Sequence, residues 1–327
     1  MRIFITGGAG YVGSHCSRQL RQSGHTLRIY DNLGAGHRAA VAEGELVVGD
    51  LADLAALRAA MAAFAPDAVM HFAASIAVGE SVEKPLLYYR NNVANTIGLL
   101  DVMAELDVRR LVFSSTCAIY GEPETTPMTE DLPADPKSPY ARTKYMMEQV
   151  FADCSAAWGL GFAALRYFNA SGAASDGSIG EDHDPETHLI PIVLQVALGR
   201  RKQVQIYGTD YPTPDGTCVR DYIHVEDLGR AHEKALLALA PGRSIIANLG
   251  TGCGHSVREV IETAKKVTGC DIPMVETGRR AGDCPVLYAD PSHVRKVLGW
   301  QAQITELEAI VGSAWRWHQA HPDGYSV

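Results

Sequence analysis

Hydrophobic residues in the first half of the chain fall into short runs, separated by longer stretches that repeat apolar residues at helical spacing. The runs are nearly continuous and rich in β-branched and aromatic residues, which is typical of strands buried on both faces of a parallel sheet. The longer stretches have the periodicity of helices. We therefore predict strands at residues 2–6, 26–31, 45–50, 67–73, 110–115 and 162–168, and helices at 12–23, 53–64, 85–106, 139–158, 256–268 and 305–320.

This alternation of strands and helices predicts an α/β fold, a Rossmann-type doubly wound parallel sheet with helices on both faces. After residue 169 the loops become rich in Gly, Pro, Asp and Thr, and the elements become shorter. We therefore expect a Rossmann domain over residues 1–169 and a smaller C-terminal α/β substrate domain over residues 170–327. Residues 223–250 are regular enough to return to the first sheet.

The composition narrows the function by exclusion. With 46% hydrophobic and 20% charged residues, the 327-residue chain is globular. Its net charge of −9 argues against nucleic acid as a partner, because that affinity depends on Lys and Arg neutralising phosphates. It has no run of about 18 apolar residues to indicate a membrane span. The seven cysteines are dispersed without a C-x-x-C pair, so we expect free thiols and a cytoplasmic location.

The stretch "ITGGAGYVGSH" follows the first predicted strand and opens the first predicted helix. Gly7, Gly10 and Gly13 permit a tight turn and a close approach of the backbone to a pyrophosphate facing the helix N-terminus. Asp31 ends the second strand, where a carboxylate accepts hydrogen bonds from the hydroxyls of an adenosine ribose and repels a 2′-phosphate. This pattern predicts NAD rather than NADP. The alternative is a plain glycine-rich turn with a solvated Asp31.

Polar residues that follow later strands are expected along the same crevice, because the carboxyl ends of parallel strands share one edge of the sheet. Asp50 is placed to accept from an adenine amine, with helix capping as an equal alternative. Thr116 follows the strand at 110–115, and Tyr140 and Lys144 are four residues apart, about one turn of the next predicted helix. Most such pairs are ordinary helical neighbours. A functional role for Tyr140 and Lys144 is indicated only because the predicted crevice lies beside them.

Tyr140 is the predicted acid–base group. A free phenol has a pKa of about 10, and lowering it by about 3 units needs about 4 kcal/mol. One cation about 4 Å away, in an effective dielectric of about 20, supplies that much. Lys144 and an oxidised nicotinamide are both cations and together predict a phenolate near neutral pH, with Thr116 donating to the same substrate oxygen. This is general acid–base chemistry at an alcohol, coupled to hydride transfer.

The glycine loop, the strand-end Thr116 and the Tyr140-x-x-x-Lys144 pair resemble the extended short-chain dehydrogenase/reductase family, and within it the 4-epimerases of UDP-hexoses. The similar motifs cover almost the whole chain, and "YPTPDGTCVRDYIHV" is the most discriminating of them. The others are "TGGAGYVGSH", "YDNL", "HFAASIAVGESV", "YYRNNV", "VFSSTCAIYG", "SPYARTK", "LRYFNASGA", "NLGTG" and "GRRAGDCPVLYAD".

The resemblance implies an NAD-dependent interconversion of UDP-glucose and UDP-galactose. Tyr140 would take the O4 proton while NAD takes the hydride from C4. The 4-keto sugar would then turn within the pocket and accept the hydride on its other face. The resemblance also implies that Tyr140, Lys144 and Thr116 are catalytic, and that helices 85–106 and 139–158 join a homodimer.

Motifs and resemblance together assign two sets of binding residues. The predicted cofactor-binding residues are Gly7, Gly10, Tyr11, Val12, Gly13, Asp31, Asn32, Leu33, Asp50, Leu51, Phe72, Ala73, Ala74, Asn91, Ser114, Tyr140, Lys144, Tyr167 and Phe168. The predicted substrate-binding residues are Thr116, Tyr140, Asn169, His188, Leu189, Gln205, Ile206, Tyr207, Arg220, Tyr222, Arg280, Asp283 and Leu287. Arginine forks suit a diphosphate on chemical grounds as well.

Four positions depart from the family pattern. Thr116 stands where many members have serine, and the hydroxyl is kept. Ile76 stands where some members have a lysine that reaches the cofactor phosphates. His188 replaces an asparagine, which puts that substrate contact in doubt. Leu287 occupies a position that is tyrosine in some members and small in others, so acceptance of UDP-N-acetylhexosamines stays open.

Other interpretations are less favoured. The segment "EDHDPETH" has metal-ligating residue types, but a flexible acidic loop is favoured and no metal is expected. A nucleotide-sugar 4,6-dehydratase needs an added acid and base after the hydroxyl residue, where this chain has Cys117 and Ala118. An epimerase of N-acetylated or other UDP-sugars remains an alternative. A non-enzymatic NAD sensor has no need for Tyr140, Lys144 and Thr116 together.

Overall fold

The computed structural model describes residues 1–280 and 282–325 of the chain. The strands are β1 (Arg2–Thr6), β2 (Thr26–Asp31), β3 (Leu46–Val48), β4 (Ala68–His71), β5 (Arg110–Thr116), β6 (Gly161–Tyr167), β7 (Asn169–Ser171), β8 (Val204–Tyr207), β9 (Val219–Arg220), β10 (Tyr222–His224), β11 (Ser244–Leu249), β12 (His255–Ser256), β13 (Met274–Thr277) and β14 (Val286–Leu287). The α-helices are α1 (Tyr11–Gln22), α2 (Leu54–Phe64), α3 (Val78–Glu83), α4 (Pro85–Tyr88), α5 (Asn95–Glu105), α6 (Pro139–Trp158), α7 (Leu189–Ala197), α8 (Val225–Ala238), α9 (Val257–Thr268), α10 (Ser292–Leu298) and α11 (Leu307–Ala320).

Seven parallel strands form the central sheet, in the order β11-β6-β5-β4-β1-β2-β3. Side chains of β1 alternate between two hydrophobic cores: Ile3 and Ile5 lie in one, and Phe4 lies in the other. Each core covers one face, which is the pattern of a parallel sheet between two helix layers. The predicted α/β fold with a Rossmann-type sheet is confirmed.

The strand order reverses at β1. The chain runs from β1 outward through β2 and β3, and then returns to place β4 on the other side of β1. Connections on opposite faces leave a crevice at the carboxyl ends of β1 and β4, where ligands bind in open α/β sheets. The glycine loop follows β1, and Thr116 is the last residue of β5.

Helix α6 begins and ends as predicted, at residues 139 and 158. The Ser138 hydroxyl accepts from the amide of Ala141 at 3.2 Å. Pro139 occupies the first helical position, where a backbone N–H would have no partner within the helix. Gly159 ends the helix in the left-handed conformation, with φ of 77°. These local signals set where α6 begins, and they therefore place Tyr140 in its first turn.

The predicted helix at 85–106 differs in the structure. It is divided into α4 (Pro85–Tyr88), a π-helical turn (Tyr89–Ala94) and α5 (Asn95–Glu105). The wide turn contains Asn92, whose side chain is buried in hydrogen bonds to neighbouring segments. Such turns often lie at functional sites. Apolar periodicity alone does not reveal them, because the buried stripe continues through the turn.

The second half of the chain contributes smaller sheets. β7 pairs with β10, β9 lies between β12 and β14, and β8 pairs with β13. α7, α9 and α11 pack on a separate core. β11 pairs with β6 in the central sheet. Within the described residues, no helix is long and apolar enough to cross a membrane.

Candidate active site

The glycine loop packs tightly against β4 and is open on its outer side. Gly7 has a φ of +72°, and a Cβ there would lie 2.3 Å from the backbone nitrogen of Ala73. A Cβ at Gly13 would lie 2.2 Å from the Gly7 carbonyl oxygen, so neither position tolerates a side chain. Gly10, the residue before α1, has space, with 3.5 Å to the nearest atom. Its lack of a side chain leaves the first amides of α1 to an anion.

Asp31 is held in a fixed orientation at the end of β2. Its carboxylate accepts from the amide of Ala9 at 2.9 Å and from the amide of Leu33 at 2.8 Å, one bond to each oxygen. Each oxygen keeps a further lone pair for a ligand hydroxyl. Leu33 adopts a positive φ of 59° to make its bond. The arrangement suits the predicted ribose contact.

Asp50 does not cap the next helix, which corrects one of its two sequence-based interpretations. Asp53 is the N-cap of α2, and its side chain accepts from the amide of Ala56 at 3.0 Å. Asp50 instead accepts from the amide of Ala52 and from the side chain of Asn32, each at 2.8 Å. These two bonds hold the pKa of Asp50 below its usual value.

Asn92 is a positioning residue that the sequence analysis missed. Its Oδ1 accepts from the amide of Ser75 at 2.8 Å, and its Nδ2 donates to Thr143 of α6 at 3.1 Å. The predicted cofactor residue Asn91 donates to the Ser75 hydroxyl at 2.9 Å. The loop after β4 is thereby tied to α6, which carries Tyr140 and Lys144. The sequence did contain a signal: Asn92 is a polar residue on the apolar stripe of the predicted helix, four positions after Tyr88, which indicates a buried side chain with hydrogen-bond partners.

Several other predicted cofactor residues lie mainly in the protein interior. Leu51 belongs to the core on one face of the sheet, and Val12 packs against the core on the other face. At these two positions only backbone atoms are therefore available to a ligand. The Tyr11 hydroxyl donates to the carbonyl of Gly172 at 2.6 Å. The amides of Phe72 and Ala73 bond to the end of β1, and Ala74 follows them out of the sheet.

The three predicted catalytic residues meet at the end of β5. The Tyr140 phenol lies beside the Thr116 hydroxyl, close enough for that hydroxyl to lower the phenol's pKa. The Lys144 ammonium lies 6.0 Å from the centre of the Tyr140 ring and donates to the Ser114 carbonyl at 2.8 Å. Lys144 is only 2% exposed. The Ser114 hydroxyl pairs with that of Tyr167 at 2.5 Å, so both predicted cofactor residues lie beside Lys144.

Burial dominates the electrostatics of this trio. Burial raises the pKa of Tyr140 to about 12, although the neighbouring Thr116 hydroxyl acts in the opposite direction. Burial also lowers the pKa of Lys144 to about 7, against the charge of Glu148, which raises it. The protein's own groups therefore keep Tyr140 protonated at neutral pH. The phenolate expected from the sequence depends on Lys144 together with an oxidised nicotinamide, and it stays a prediction.

A buried polar network, also missed from the sequence, lies beneath the trio. Glu148 and Arg166 form an ion pair at 2.5 Å, with side chains 2% and 7% exposed. Glu148 also accepts from Ser115 at 2.6 Å, and Arg166 donates to Tyr120 at 2.8 Å. The pair fastens α6 to β5 and β6, and removing one partner of such a pair typically costs about 3–5 kcal/mol. Arg166 inside an otherwise apolar strand was the signal for a buried partner.

The predicted diphosphate residues share a carboxylate. Arg280 donates twice to Asp283, at 3.0 and 3.1 Å, and Arg220 lies 3.7 Å from the same carboxylate. Arg220 also donates to the carbonyls of Val219 and Cys284. Its side chain is 16% exposed, whereas that of Arg280 is 63% exposed. Backbone carbonyls thus hold Arg220 in place, whereas Arg280 is held by the carboxylate of Asp283.

Strand β8 places only alternate residues toward solvent. Tyr207 donates to Gln205 at 2.5 Å, and its ring lies 5.5 Å from the Arg280 guanidinium carbon. The side chain of Ile206 is 1% exposed and belongs to the core of the second half, together with Tyr222. The side chains of these two predicted substrate residues pack inward, so only their backbone atoms are available to a ligand, and their assignment stays a prediction.

Leu287 links the two halves of the site. It lies opposite Arg220 in the register of β14 and β9, and it packs on the cluster that contains Phe168. The amide of Asn169 bonds to the carbonyl of Asp221, whose own amide bonds to the carbonyl of Leu287. Asn169, Arg220 and Leu287 are thereby neighbours, and their shared role in substrate binding stays a prediction.

The segment before α7, which the sequence favoured as a flexible acidic loop, is hydrogen-bonded to distant parts of the chain. Asp182 anchors it, accepting from His37 through its carbonyl and from the amide of Tyr325 through its side chain. His188, just before Leu189 opens α7, contacts Glu181 at 3.0 Å and Glu186 at 2.9 Å. Without a bound cation, burial acts to lower the pKa of His188, but the charge of Glu181 and the hydrogen bonds to both glutamates raise it to about 10.

The family of the chain follows from a comparison of sequences. The profile of the NAD dependent epimerase/dehydratase family matches residues 3–250. The chain belongs to this family, which confirms the resemblance to the extended short-chain dehydrogenases/reductases.

Relatives narrow the class. The UDP-glucose 4-epimerase of Halalkalibacterium halodurans is 49% identical, over 100% of this chain and 98% of its own. A UDP-glucose 4-epimerase from Brucella ovis, solved in complex with NAD, is 47% identical with a TM-score of 0.93, over 96% of this chain and 97% of that one. The enzyme from Bifidobacterium longum, solved with NAD⁺ and UDP, is 38% identical with a TM-score of 0.95, over 99% and 100%. These likenesses confirm the predicted enzyme class and its NAD dependence, and favour UDP-glucose 4-epimerase chemistry over the dehydratase, N-acetyl-sugar and sensor alternatives.

Proposed function

We propose that this chain interconverts UDP-glucose and UDP-galactose through transient oxidation at the sugar C4, rotation of the 4-keto intermediate and return of the hydride. One observation carries the proposal. The Tyr140 phenol lies beside the Thr116 hydroxyl, one turn before the buried Lys144, at the carboxyl edge of a sheet whose first loop fits a dinucleotide.

The residues of the crevice fit NAD. The open amides at the start of α1 suit its pyrophosphate, and the fixed carboxylate of Asp31 suits the adenosine ribose. When bound, the nicotinamide accepts the hydride and later returns it. We infer that Ser114, Tyr167 and Lys144 line the nicotinamide side, because they are bonded together next to Tyr140.

Tyr140 would hold and release the O4 proton. A phenol with a pKa of about 12 does not ionise at neutral pH unaided. The charge of Lys144 and that of the oxidised nicotinamide both favour the phenolate, and the burial that raises the phenol's pKa also strengthens their attraction to it. Thr116 would orient the substrate oxygen by a second hydrogen bond. The proton is therefore taken while the cofactor is oxidised and returned once it is reduced.

The UDP portion would lie between the two arginines and β8. Arg220 and Arg280 supply two guanidinium forks for the diphosphate. Asp283 orients both of them, and the exposed Gln205 and Tyr207 flank Arg280. We propose that residues 170–327 supply most of this sugar-nucleotide site, and that residues 1–169 supply most of the NAD site.

A homodimer through α4, α5 and α6 is the proposed assembly. Leu86 and Leu87 of α4 are 65% and 45% exposed, Ile97 of α5 is 41% exposed, and Met146 of α6 is 38% exposed. Large exposed apolar patches mark interaction sites. Sedimentation of the chain and of Leu86→Asp tests this, because the substitution should shift the native dimer toward monomer. The seven free thiols fit the proposed cytoplasmic location.

The activity is tested by incubating the purified chain with UDP-galactose without added NAD and measuring UDP-glucose. Turnover is expected, since the cofactor recycles in place. A parallel incubation with UDP-N-acetylgalactosamine measures the alternative substrate. A chain that retains NAD but turns over neither sugar would contradict the proposal and support the sensor. Release of a 6-deoxy-4-keto product would instead indicate a dehydratase.

A further inference from the structure

Two carboxylates and two imidazoles converge in the segment before α7, outside the proposed catalytic trio. Glu181, His183, Glu186 and His188 each place one donor atom within 4.8 Å of the other three. The two glutamate side chains are 6% and 3% exposed. A buried pair of carboxylates requires compensating positive charge, because an isolated ionised group is costly to desolvate.

The four imidazole–carboxylate distances are close to those between the ligand atoms of a tetrahedral metal site. Nδ1 of His188 lies 3.0 Å from Glu181 and 2.9 Å from Glu186, and Nδ1 of His183 lies 3.3 and 3.6 Å from the same two carboxylates. Zinc bonds of about 2.0–2.1 Å to nitrogen and oxygen place tetrahedral ligand atoms about 3.3 Å apart. One donor atom from each residue lies within 4.8 Å of the others, so a modest contraction of the cluster brings all four to one ion.

Hydrogen bonding does not account for the buried Nδ1 atom of His183. Among the described residues, its buried Nδ1 has no hydrogen-bond partner, although two carboxylate oxygens are close. Buried polar atoms are usually satisfied, so such an exception needs a cause. A cation at the centre of the cluster would receive the Nδ1 lone pair directly. A double ion pair of protonated imidazoles would require an N–H that points at an oxygen.

We propose that Glu181, His183, Glu186 and His188 bind one Zn²⁺ ion. Two imidazole nitrogens and two carboxylate oxygens suit zinc, whereas Ca²⁺ and Mg²⁺ prefer oxygen ligands alone. The charge of the ion offsets the two glutamates, with both imidazoles neutral. Four protein ligands close the coordination, so the role is structural.

The site would join the two ligand-binding regions of the molecule. The ring of His183 contacts that of Tyr11, in the glycine loop, edge to face at 6.3 Å. His188 directly precedes α7, and its Nδ1 alone is used by the metal. The ion would thus fix the start of α7 against the loop that holds the pyrophosphate.

Metal content of the full chain tests the proposal. The protein is produced in zinc-supplemented medium, dialysed against metal-free buffer and measured by inductively coupled plasma mass spectrometry. Native protein should keep about one zinc per chain. His183→Ala and the near-isosteric Glu181→Gln should keep almost none, whereas His293→Ala, which removes an exposed histidine of α10, should match the native chain. Equal zinc in His183→Ala and native protein overturns the proposal.

A second measurement does not depend on the variants folding. Metal-free native protein is titrated with Co²⁺, whose visible absorption is intense in tetrahedral sites and weak in octahedral ones. An intense spectrum that saturates at one equivalent, and that Zn²⁺ abolishes, is expected. A weak spectrum or no saturable binding overturns the proposal and leaves the double ion pair as the structure of the cluster.

Discussion

The two halves of the proposed active site, the catalytic half and the diphosphate half, are built in different ways. The catalytic half stands on long strands and a 20-residue helix, and Lys144 and Thr116 are 2% and 8% exposed. The diphosphate half stands on β9 and β14, which have two residues each, and Arg280 is 63% exposed. Groups fixed by a sheet act at a defined atom, whereas exposed arginines adjust to a ligand.

The difference assigns separate kinetic roles. Loss of a fixed group that acts only in the transition state lowers kcat, and loss of uniform binding raises KM. Catalytic-half variants should therefore change kcat, and diphosphate-half variants should change KM. Each variant below tests this division, and a reversed pattern would break it.

Tyr140→Phe should have the largest effect. It removes the phenol that exchanges the O4 proton and keeps the ring, so kcat should fall by about 10²–10⁴-fold. Turnover of UDP-galactose and the NAD content of the purified variant are the measurements. NAD should remain bound, since the ring is kept. Tyr145→Phe, in the same helix, is the matched control and should keep native kcat. Native turnover by Tyr140→Phe would refute the acid–base assignment.

Lys144→Met tests how strongly burial acts in the catalytic half. The pKa of Lys144 falls from an ordinary 10.5 to about 7, so between these pH values the unfolded chain binds a proton that the folded chain does not. This residue's contribution to stability therefore rises with pH across that window. Below pH 7 the buried ammonium costs at most about 5 kcal/mol. The uncharged variant should gain most over native protein near pH 6.5 and lose that gain by pH 10.

Urea unfolding followed by circular dichroism, between pH 6.5 and 10, measures the difference. The exposed Lys202→Met is the control and should show a difference from native protein that is independent of pH. The lost bond to the Ser114 carbonyl offsets the gain by about 1 kcal/mol. A pH-independent difference for Lys144→Met would show that the lysine is not desolvated.

Arg220→Leu should have an intermediate effect, and on KM. Charge-assisted hydrogen bonds are worth about 1.5–3 kcal/mol, which corresponds to roughly a ten- to hundredfold rise in KM. Arg280→Leu should cost less, because its exposed side chain must be immobilised on binding. Arg279→Leu is the control, since Arg279 pairs with Asp210 at 2.7 Å and is outside the predicted site. A loss in kcat without a change in KM would contradict the division.

The same contrast explains what the sequence could predict. In the first half, strand and helix signals are local: β1, β2 and α6 have their predicted residues, and the glycine loop and Asp31 take their positions from them. Thr116, Tyr140 and Lys144 could be predicted as one group because their positions follow from these strands and helices. Asn92, Glu148 and Arg166 were missed because their partners are distant in sequence and no local pattern pairs them.

In the second half the signals are weaker. β9 and β14 are set by pairing between residues 219–220 and 286–287, which no periodicity encodes. Ile206 and Tyr222 were assigned from motif positions, without the strand alternation that points their side chains into the core. The loop at 181–188 was expected to be flexible from its charge, whereas its anchors, His37 and Tyr325, lie more than 140 residues away on either side.

Leu287 should have the smallest effect, on selectivity rather than rate. It is partly buried opposite Arg220 and against the Phe168 cluster, so its volume limits the space for a substituent on the sugar. Leu287→Tyr should lower kcat/KM for UDP-N-acetylgalactosamine relative to UDP-galactose by about tenfold, and Leu287→Ala should raise the ratio. Leu132→Ala, which alters the same cluster away from β14, is the control. An unchanged ratio in both Leu287 variants would place the sugar elsewhere in the crevice.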